Sequence, residues 1–274
     1  MAVTKGADMN ELVTVTNAEG PVADVRINRP DKKNAVTLEL LADLVAAGEA
    51  LAQQPGLRAV VVSGEDGNFS SGLDTSVFMK MAGQLDQLKD QMLNLPEGQT
   101  ANQFQRPAQV WQDLGVPVIA AIEGVCFGAG LQIALAADFR FAAPDATLSI
   151  LEAKWGLVPD MGISLSLPRL MPVDRAKALI MTGKMLSGDE ALAEGLVTRV
   201  EEDPIAAAHA FASEIAQKSP DAIRSAKTLA DAIWGGDAAE GLVIEAQLQA
   251  DLMGSPNQIE TVMAQIQKRP PNYS

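Results

Sequence analysis

Glu152 and Asp160 stand eight residues apart in Ser149-Ile150-Leu151-Glu152-Ala153-Lys154-Trp155-Gly156-Leu157-Val158-Pro159-Asp160-Met161-Gly162, where most other side chains are apolar. An acid in apolar surroundings resists ionisation, so its pKa rises toward the range that suits proton transfer. Each acid also has a structural use: Glu152 can pair with Lys154 or an arginine, and Asp160, after Pro159, can cap the helix that follows. The second chemical feature is main chain. Gly72-Leu73 and Ala129-Gly130 each place small residues where a helix opens. Such an opening leaves N–H groups unpaired at the positive end of the helix dipole. Two of them converging on one point would make an oxyanion hole, worth ~10²–10³ in rate per donor. Main-chain donors place no demand on side chains, so Leu73 and Ala129 both qualify.

Other reaction types lack their parts. The single histidine, His209, lies in an alanine-rich helical stretch of the C-terminal third, and Ser70-Ser71-Gly72 lacks the G-x-S-x-G elbow, so no Ser–His pair is evident. The single cysteine, Cys126, sits among apolar residues and reads as a packed thiol; alone it supports neither an intramolecular disulfide nor a cysteine metal cluster. No phosphate-binding G-x-x-x-x-G-K-[ST] loop occurs. With 21 Lys+Arg against 35 Asp+Glu, the net charge is −14. Such a field repels nucleic-acid phosphates and anionic lipid, so neither is an expected partner, and an anionic ligand must be gripped by local donors.

The elements that must position these groups follow from period and punctuation. Val22 to Asn28 alternates, with Ala23, Val25 and Ile27 on one face and Asp24, Arg26 and Asn28 on the other, which predicts a strand paired with Leu12–Thr16 across the Asn17–Gly20 turn. The polar run 29–34 is expected to be a loop, Pro30 opposing a helix. Thr37 caps a helix carrying Leu38, Leu41, Ala42, Val45 and Ala52. Ala59–Ser63 and Val118–Ile122 read as buried strands, each followed by a glycine-bearing loop and a helix, the helices beginning at Asp74 and spanning Leu131–Ala137. A third such unit starts at Phe139–Ala142 and ends in the helix after Asp160. Strand–helix alternation predicts an α/β core with parallel pairing.

After about residue 185 the pattern predicts helix alone. Ser187 with Glu190 forms a capping box, and Asp203-Pro204, Ser219-Pro220 and Ser255-Pro256 each read as an N-cap followed by proline. Gly235-Gly236 is expected to end the helix that begins at Pro220. The apolar positions Leu242, Ile244, Leu248, Leu252, Ile259, Val262 and Ile266 must be covered by the first part of the chain or by another subunit. The apolar stretch Val116–Ala137 is broken by Glu123, Gln132 and glycines, and Met1–Leu12 has no apolar signal region, so neither a membrane span nor secretion is expected, and the compartment expected is the cytoplasm.

Taken in order, these motifs resemble the crotonase (enoyl-CoA hydratase/isomerase) superfamily. The resemblance rests on Asn28-Arg29-Pro30-Asp31-Lys32-Lys33-Asn34-Ala35, Phe69-Ser70-Ser71-Gly72-Leu73-Asp74, Val116 to Gly124 continuing through Gly128-Ala129-Gly130, the acid segment from Glu152 through Gly156 to Pro159-Asp160, and Arg269-Pro270-Pro271. It implies an α/β crotonase-like (ClpP/crotonase) spiral of ββα units over residues 1–185, holding an acyl-CoA site. Residues 186–274 would be a C-terminal helical region that builds a homotrimer or a dimer of trimers. It also implies an acyl-CoA thioester as substrate, with no metal and no redox cofactor. On that resemblance Leu73 and Ala129 supply the oxyanion-hole N–H groups. Ser71, Gly72, Leu73, Asp74 and Thr75 lie along CoA with Ala129, and Lys32 and Lys33 form the basic loop near its phosphates.

The departures bear on the reaction. Hydratases of this family carry two glutamates, and the position of the first is Gln132 here; an amide can orient water but cannot act as its base. Glu152 keeps the second position. Asp160 matches an acid typical of dienoyl-CoA isomerases, where hydratases usually have glycine, although those isomerases usually carry an acid at the position of Gln132 as well. The expectation is therefore an enoyl- or dienoyl-CoA isomerase with Glu152 and Asp160 as the catalytic acids. The alternatives are a hydratase or other crotonase-type lyase using Glu152 alone, and an acyl-CoA-binding subunit without turnover. The Ser76–Gln105 region and Trp155 are the expected shapers of the pocket, although Trp155 could equally be core packing.

Overall fold

The computed structural model describes residues 12–77, 85–95, 98, 100–234 and 238–273. Among these, the β-branched and small-residue runs form β1 (Val13–Thr16), β2 (Val22–Ile27), β3 (Ala59–Gly64), β4 (Val118–Ile122), β5 (Val125–Phe127), β6 (Phe139–Ala142), β7 (Thr147–Ser149), β8 (Leu186–Ser187) and β9 (Arg199–Val200). One sheet has the order β1-β2-β3-β4-β6-β9 and a smaller one the order β5-β7-β8. β1 and β2 pair antiparallel, Val13 opposite Ile27, and the Gly20 N–H closes the turn on Asn17 O at 2.8 Å. All other pairs of the large sheet are parallel. Parallel neighbours need long crossovers, here supplied in part by helices α1 (Leu38–Ala52), α2 (Leu85–Leu93), α3 (Arg106–Gln112), α4 (Ala129–Leu135), α5 (Ile163–Ser166), α6 (Val173–Thr182) and α7 (Gly188–Glu194). Then follow α8 (Pro204–Ala216), α9 (Pro220–Ile233), α10 (Ala238–Leu252) and α11 (Pro256–Gln267). This is an α/β architecture with a helical C-terminal region.

The large sheet is buried on both faces, and the period of two sorts its side chains. Val60, Val62, Val118, Ala120 and Ile122 enter the main core with Leu40, Leu44 and Leu51 of α1 and Val110 and Trp111 of α3. Ala59, Val61, Ile119, Ala121 and Phe141 face the other way and pack on Ala208 and Ala212 of α8. The small residues on both partners let α8 lie close to the sheet. Ala23, Val25 and Ile27 join the first core, whereas Asp24, also buried, faces α8 and stands 3.6 Å from His209 Nε2. That contact accounts for the lone histidine.

Capping follows the sequence closely. The Leu40 N–H donates to Thr37 Oγ1, Ser187 and Glu190 close a reciprocal capping box, and the Asp203 and Ser255 side chains accept from Ala206 and Gln258. Four expectations are corrected. Pro30 begins a single 3-10 turn, Pro30–Lys32, because proline at the first helical position gives up an N–H that would be unpaired anyway. Helix α4 begins at Ala129 and not at Leu131. Ser219 sits at an N-cap without a side-chain bond to the helix. Strands also continue past residue 185: β8 pairs with β7, and β9 extends the large sheet beside β6. Each is two residues long, too short for a period to show. Gly235 and Gly236 lie outside the described residues.

Residues 186–216 thus contribute strands to both sheets and α8 to the second core. The later helices leave apolar side chains uncovered by this chain: Leu242 is 67% exposed, Ile259 52% and Ile266 70%. Intrachain packing alone therefore does not close that face. No helix of the described residues is long and apolar enough to cross a membrane.

Candidate active site

The site begins with a buried asparagine. Asn34, fully inaccessible, accepts the Arg29 N–H on Oδ1 at 2.8 Å and donates from Nδ2 to Glu65 O and Asn68 O at 2.9 and 2.6 Å. Its carbonyl accepts from Ser70 Oγ at 2.7 Å. The 29–34 loop is thereby fastened to the 65–70 loop. From there residues 70–74 run as an extended segment between two neighbours. On one side the Ser71 N–H donates to Lys33 O, the Val36 N–H to Gly72 O and the Asp74 N–H to Val36 O, each at 2.8 Å. On the other side the Ser70 N–H donates to Val125 O and the Phe127 N–H to Ser70 O, both at 2.9 Å.

These bonds set a register. Ser70 stands opposite Cys126, and Val36 opposite Leu73. In the latter pairing the residues flanking Leu73 bond to Val36, so Leu73's own N–H points away from Val36, to the side where β5 runs. Leu73 lies three residues beyond Ser70, and Ala129 three beyond Cys126, and both line one cavity. Ala129 is the first residue of α4, where an N–H has no intrahelical partner. Two glycines permit this approach. Gly72 has φ +86°, and a Cβ there would lie 2.8 Å from Phe127 O; Gly128 has φ +50° and ψ −118°, and a Cβ there would lie 3.3 Å from Glu152 Oε1. The Glu152 carboxylate is thus seated beside the residue that precedes Ala129.

Glu152 opens the 3-10 turn Glu152–Trp155 and is 9% exposed. Neither Lys154 nor an arginine pairs with it among the described salt bridges; its Oε1 accepts from Gln132 Nε2 at 2.7 Å, and Oε2 is buried with no partner. Burial pushes its pKa up, hydrogen bonds from its own main-chain N–H and from Gln132 pull it down, and the nearby Asp160 charge pushes it up again. Asp160 does not cap a helix: the N-cap of α5 is Gly162, and no side chain caps it. Asp160 is exposed and lines the cavity described below, yet the protein around it removes enough water to raise its pKa. Both acids thus remain candidates for proton transfer.

A cavity of about 800 Å³ brings the groups together. Lys32, Ser71, Gly72, Leu73, Asp74, Thr75, Ala129, Glu152 and Asp160 all line it, whereas Lys33 does not. Asp74 has a local employment: its carboxylate accepts from the Ser76 N–H and from Arg29 Nη1 at 2.8 and 2.5 Å, which holds its pKa at about 2. Cys126 is buried, its thiol pKa pushed up by desolvation, and it does not line the cavity. Met92, Phe104 and Trp155 confirm the expected wall regions; Leu38, Leu41, Leu157, Val158 and Met161 extend the apolar lining, and Lys89 adds a cation. The first two lie on the α1 face whose period already marked it as apolar. The Arg29–Asp74 pair and the Gln132–Glu152 bond were not foreseen, because each joins residues from separate segments.

A sequence model of the enoyl-CoA hydratase/isomerase family matches residues 17–274. The mitochondrial delta(3,5)-delta(2,4)-dienoyl-CoA isomerase of Mus musculus is 33% identical over 276 residues, covering 94% of this chain and 80% of the relative. Mitochondrial methylglutaconyl-CoA hydratase of the same species is 32% identical over 254 residues, covering 90% and 77%. Among solved structures, an enoyl-CoA hydratase from Bacillus anthracis superposes with a TM-score of 0.86 at 30% identity, covering 96% of this chain and 99% of that one. DspI of Pseudomonas aeruginosa gives 0.83 at 28% identity, covering all of both chains.

Proposed function

Since this chain belongs to the enoyl-CoA hydratase/isomerase family of acyl-CoA enzymes, we propose that it moves a double bond along an enoyl- or dienoyl-CoA through a stabilised (di)enolate. The observation that carries this reading is the Gln132 amide. Its Nε2 donates to Glu152 and its Oε1 accepts the Met161 N–H at 2.8 Å, so the position where hydratases hold a water-activating acid offers no base. The second acid, Asp160, lines the same cavity as Glu152.

The thioester oxygen sits on the Leu73 and Ala129 N–H groups, which strengthen their grip as it becomes anionic. That polarisation acidifies the adjacent carbon, and Glu152, seated next to Gly128, removes its proton. The electron pair delocalises toward the thioester oxygen and along the acyl chain. Asp160, entering protonated, delivers its proton to a carbon further along; Glu152 leaves protonated and Asp160 ionised, and exchange with solvent resets both. Raised pKa values suit each half of this cycle: they make Glu152 a stronger base and help Asp160 to hold a proton. Lys32 and the strip 71–75 hold CoA, with Lys33 as an outer cation of the same loop. The reaction is carbon-acid chemistry and calls on no metal or redox cofactor.

Methylglutaconyl-CoA hydratase among the relatives keeps water addition by Glu152 alone as the competing reading. Turnover of a panel of 2-enoyl, 3-enoyl and 3,5-dienoyl thioesters separates the two. Appearance of the 2-enoyl or 2,4-dienoyl chromophore from 3-enoyl or 3,5-dienoyl substrates is expected; brisk loss of conjugation from 2-enoyl-CoA would overturn the proposal. The same reading assigns the exposed apolar faces of α10 and α11 to contacts between copies in a homotrimer or dimer of trimers, which light scattering after size exclusion tests.

A further inference from the structure

Gln132 is 2% exposed, and both ends of its amide are engaged within the protein. The Met161 N–H can only donate, so it fixes which end of the amide is oxygen. The other end must then be the NH₂ group, which presents a donor to Glu152 Oε1 at 2.7 Å. The amide cannot flip without setting two donors against each other at Met161 and two acceptors against each other at Glu152. An acid in the same place would share a proton with Glu152, because two carboxylates at that distance cannot both ionise. The neutral amide favours the ionised carboxylate and leaves it unshared. Oε1 is the oxygen that Gln132 holds; Oε2 is buried with no hydrogen-bond partner among the described residues.

We propose that Gln132 is a positioning residue that holds Glu152 as an independent base, fixing Oε1 so that Oε2 exchanges the proton. The assignment rests on the isomerase reading for its role in turnover, but the placement is a property of the resting protein. Asp160 opposes ionisation of Glu152 whenever it is itself ionised, and Lys32, Lys89 and Asp74 line the same cavity; the main-chain amides of Glu152 and Leu151 favour ionisation, and Gln132 is the side chain that does so.

The test is direct titration of Glu152 by carboxyl ¹³C NMR on protein labelled at glutamate, the resonance being assigned by its loss in Glu152→Gln. Removing the donor in Gln132→Leu should raise the Glu152 midpoint by about one pH unit, the scale of one hydrogen bond to a charged group. The acidic limb of the kcat/KM profile should move up with it. Gln132→Glu keeps an acceptor for the Met161 N–H and should likewise produce a carboxyl titrating above the wild-type midpoint; it decides the matter alone if Gln132→Leu does not fold. An unmoved midpoint overturns the proposal even if activity falls, since a merely structural loss would lower rate without shifting the titration. A shifted midpoint supports the placement even in a protein that turns over no enoyl thioester, an outcome that would overturn the isomerase reading instead.

Discussion

Gly72→Ala should disable the proposed oxyanion hole while leaving the fold standing. The added Cβ would meet Phe127 O at 2.8 Å, so the 70–73 segment and β5 must part, by about 0.6 Å to reach the 3.4 Å of ordinary contact. The obstacle is backbone and cannot swing aside. The φ of +86° adds strain of ~1–2 kcal/mol for an L-residue, against which the stiffer unfolded chain returns ~0.4–1 kcal/mol. The melting temperature should therefore fall by only a few degrees. Activity should fall much further: Leu73 follows directly, so its N–H is displaced relative to Ala129, and a donor misplaced on that scale costs ~10²-fold. Because the hole acts on charge that develops during reaction, the loss should appear in kcat more than in KM. Gly67→Ala is the control, with φ +68° and open space around the new methyl; it should share the strain and keep its kcat. Steady-state turnover of the best enoyl thioester, with a melting curve for each variant, reads both effects. If folded Gly72→Ala works as fast as wild type, the assignment of the Leu73 N–H to the reacting oxygen is wrong.

Three further outcomes follow. Glu152→Gln should cut turnover by ~10²–10⁴-fold without lowering the melting temperature at pH 7. Burial raises this acid's pKa, so its ionised form opposes folding above the unfolded carboxylate's range, and the opposition fades as pH falls through the raised value; any stability gain of the variant should thus shrink on acidification. Asp160→Asn should also cost orders of magnitude in isomerisation while α5 stays intact, and a fully active variant would remove Asp160 from the chemistry. Asp74→Asn should weaken the protein in the opposite pH sense. The Asp74 pKa is held near 2 by the Ser76 N–H and Arg29, so its contribution is present above the unfolded carboxylate's pKa and lost as pH drops toward 2. Urea midpoints at pH 6 and pH 3 should show a gap between wild type and variant that narrows at the lower value.

The legible parts of the molecule were those whose cause is local. Thr37, Asp203 and Ser255 bond to amides three residues on, and Ala59–Ser63 declares a buried strand by composition alone. Glu152 and Asp160 were visible because two acids in an apolar stretch are unusual. Ala129 was visible as a helix opening, whereas Leu73, read the same way, stands in an extended segment bridged to Val36, and only the family resemblance joined the two. Interactions between distant segments were not legible. Gln132 meets Glu152 across 20 residues and Met161 across 29, and Arg29 meets Asp74 across 45. No period records such pairs. Nor could pattern show that Lys32 lines the cavity while Lys33, the next residue, does not.

The pairing of Ser70 with Cys126 has a consequence for how the working enzyme is assembled from its chain. The segment bearing Leu73 emerges from the large sheet, whereas Ala129 follows a strand of the small one, and the contact between them is non-local. Contacts of long sequence separation form late, after loop closure has been met. On the proposed reading neither layer alone carries both oxyanion donors; the pair exists only once both have condensed and come to rest side by side. A refolding chain should therefore regain its circular dichroism before its ability to polarise a thioester carbonyl.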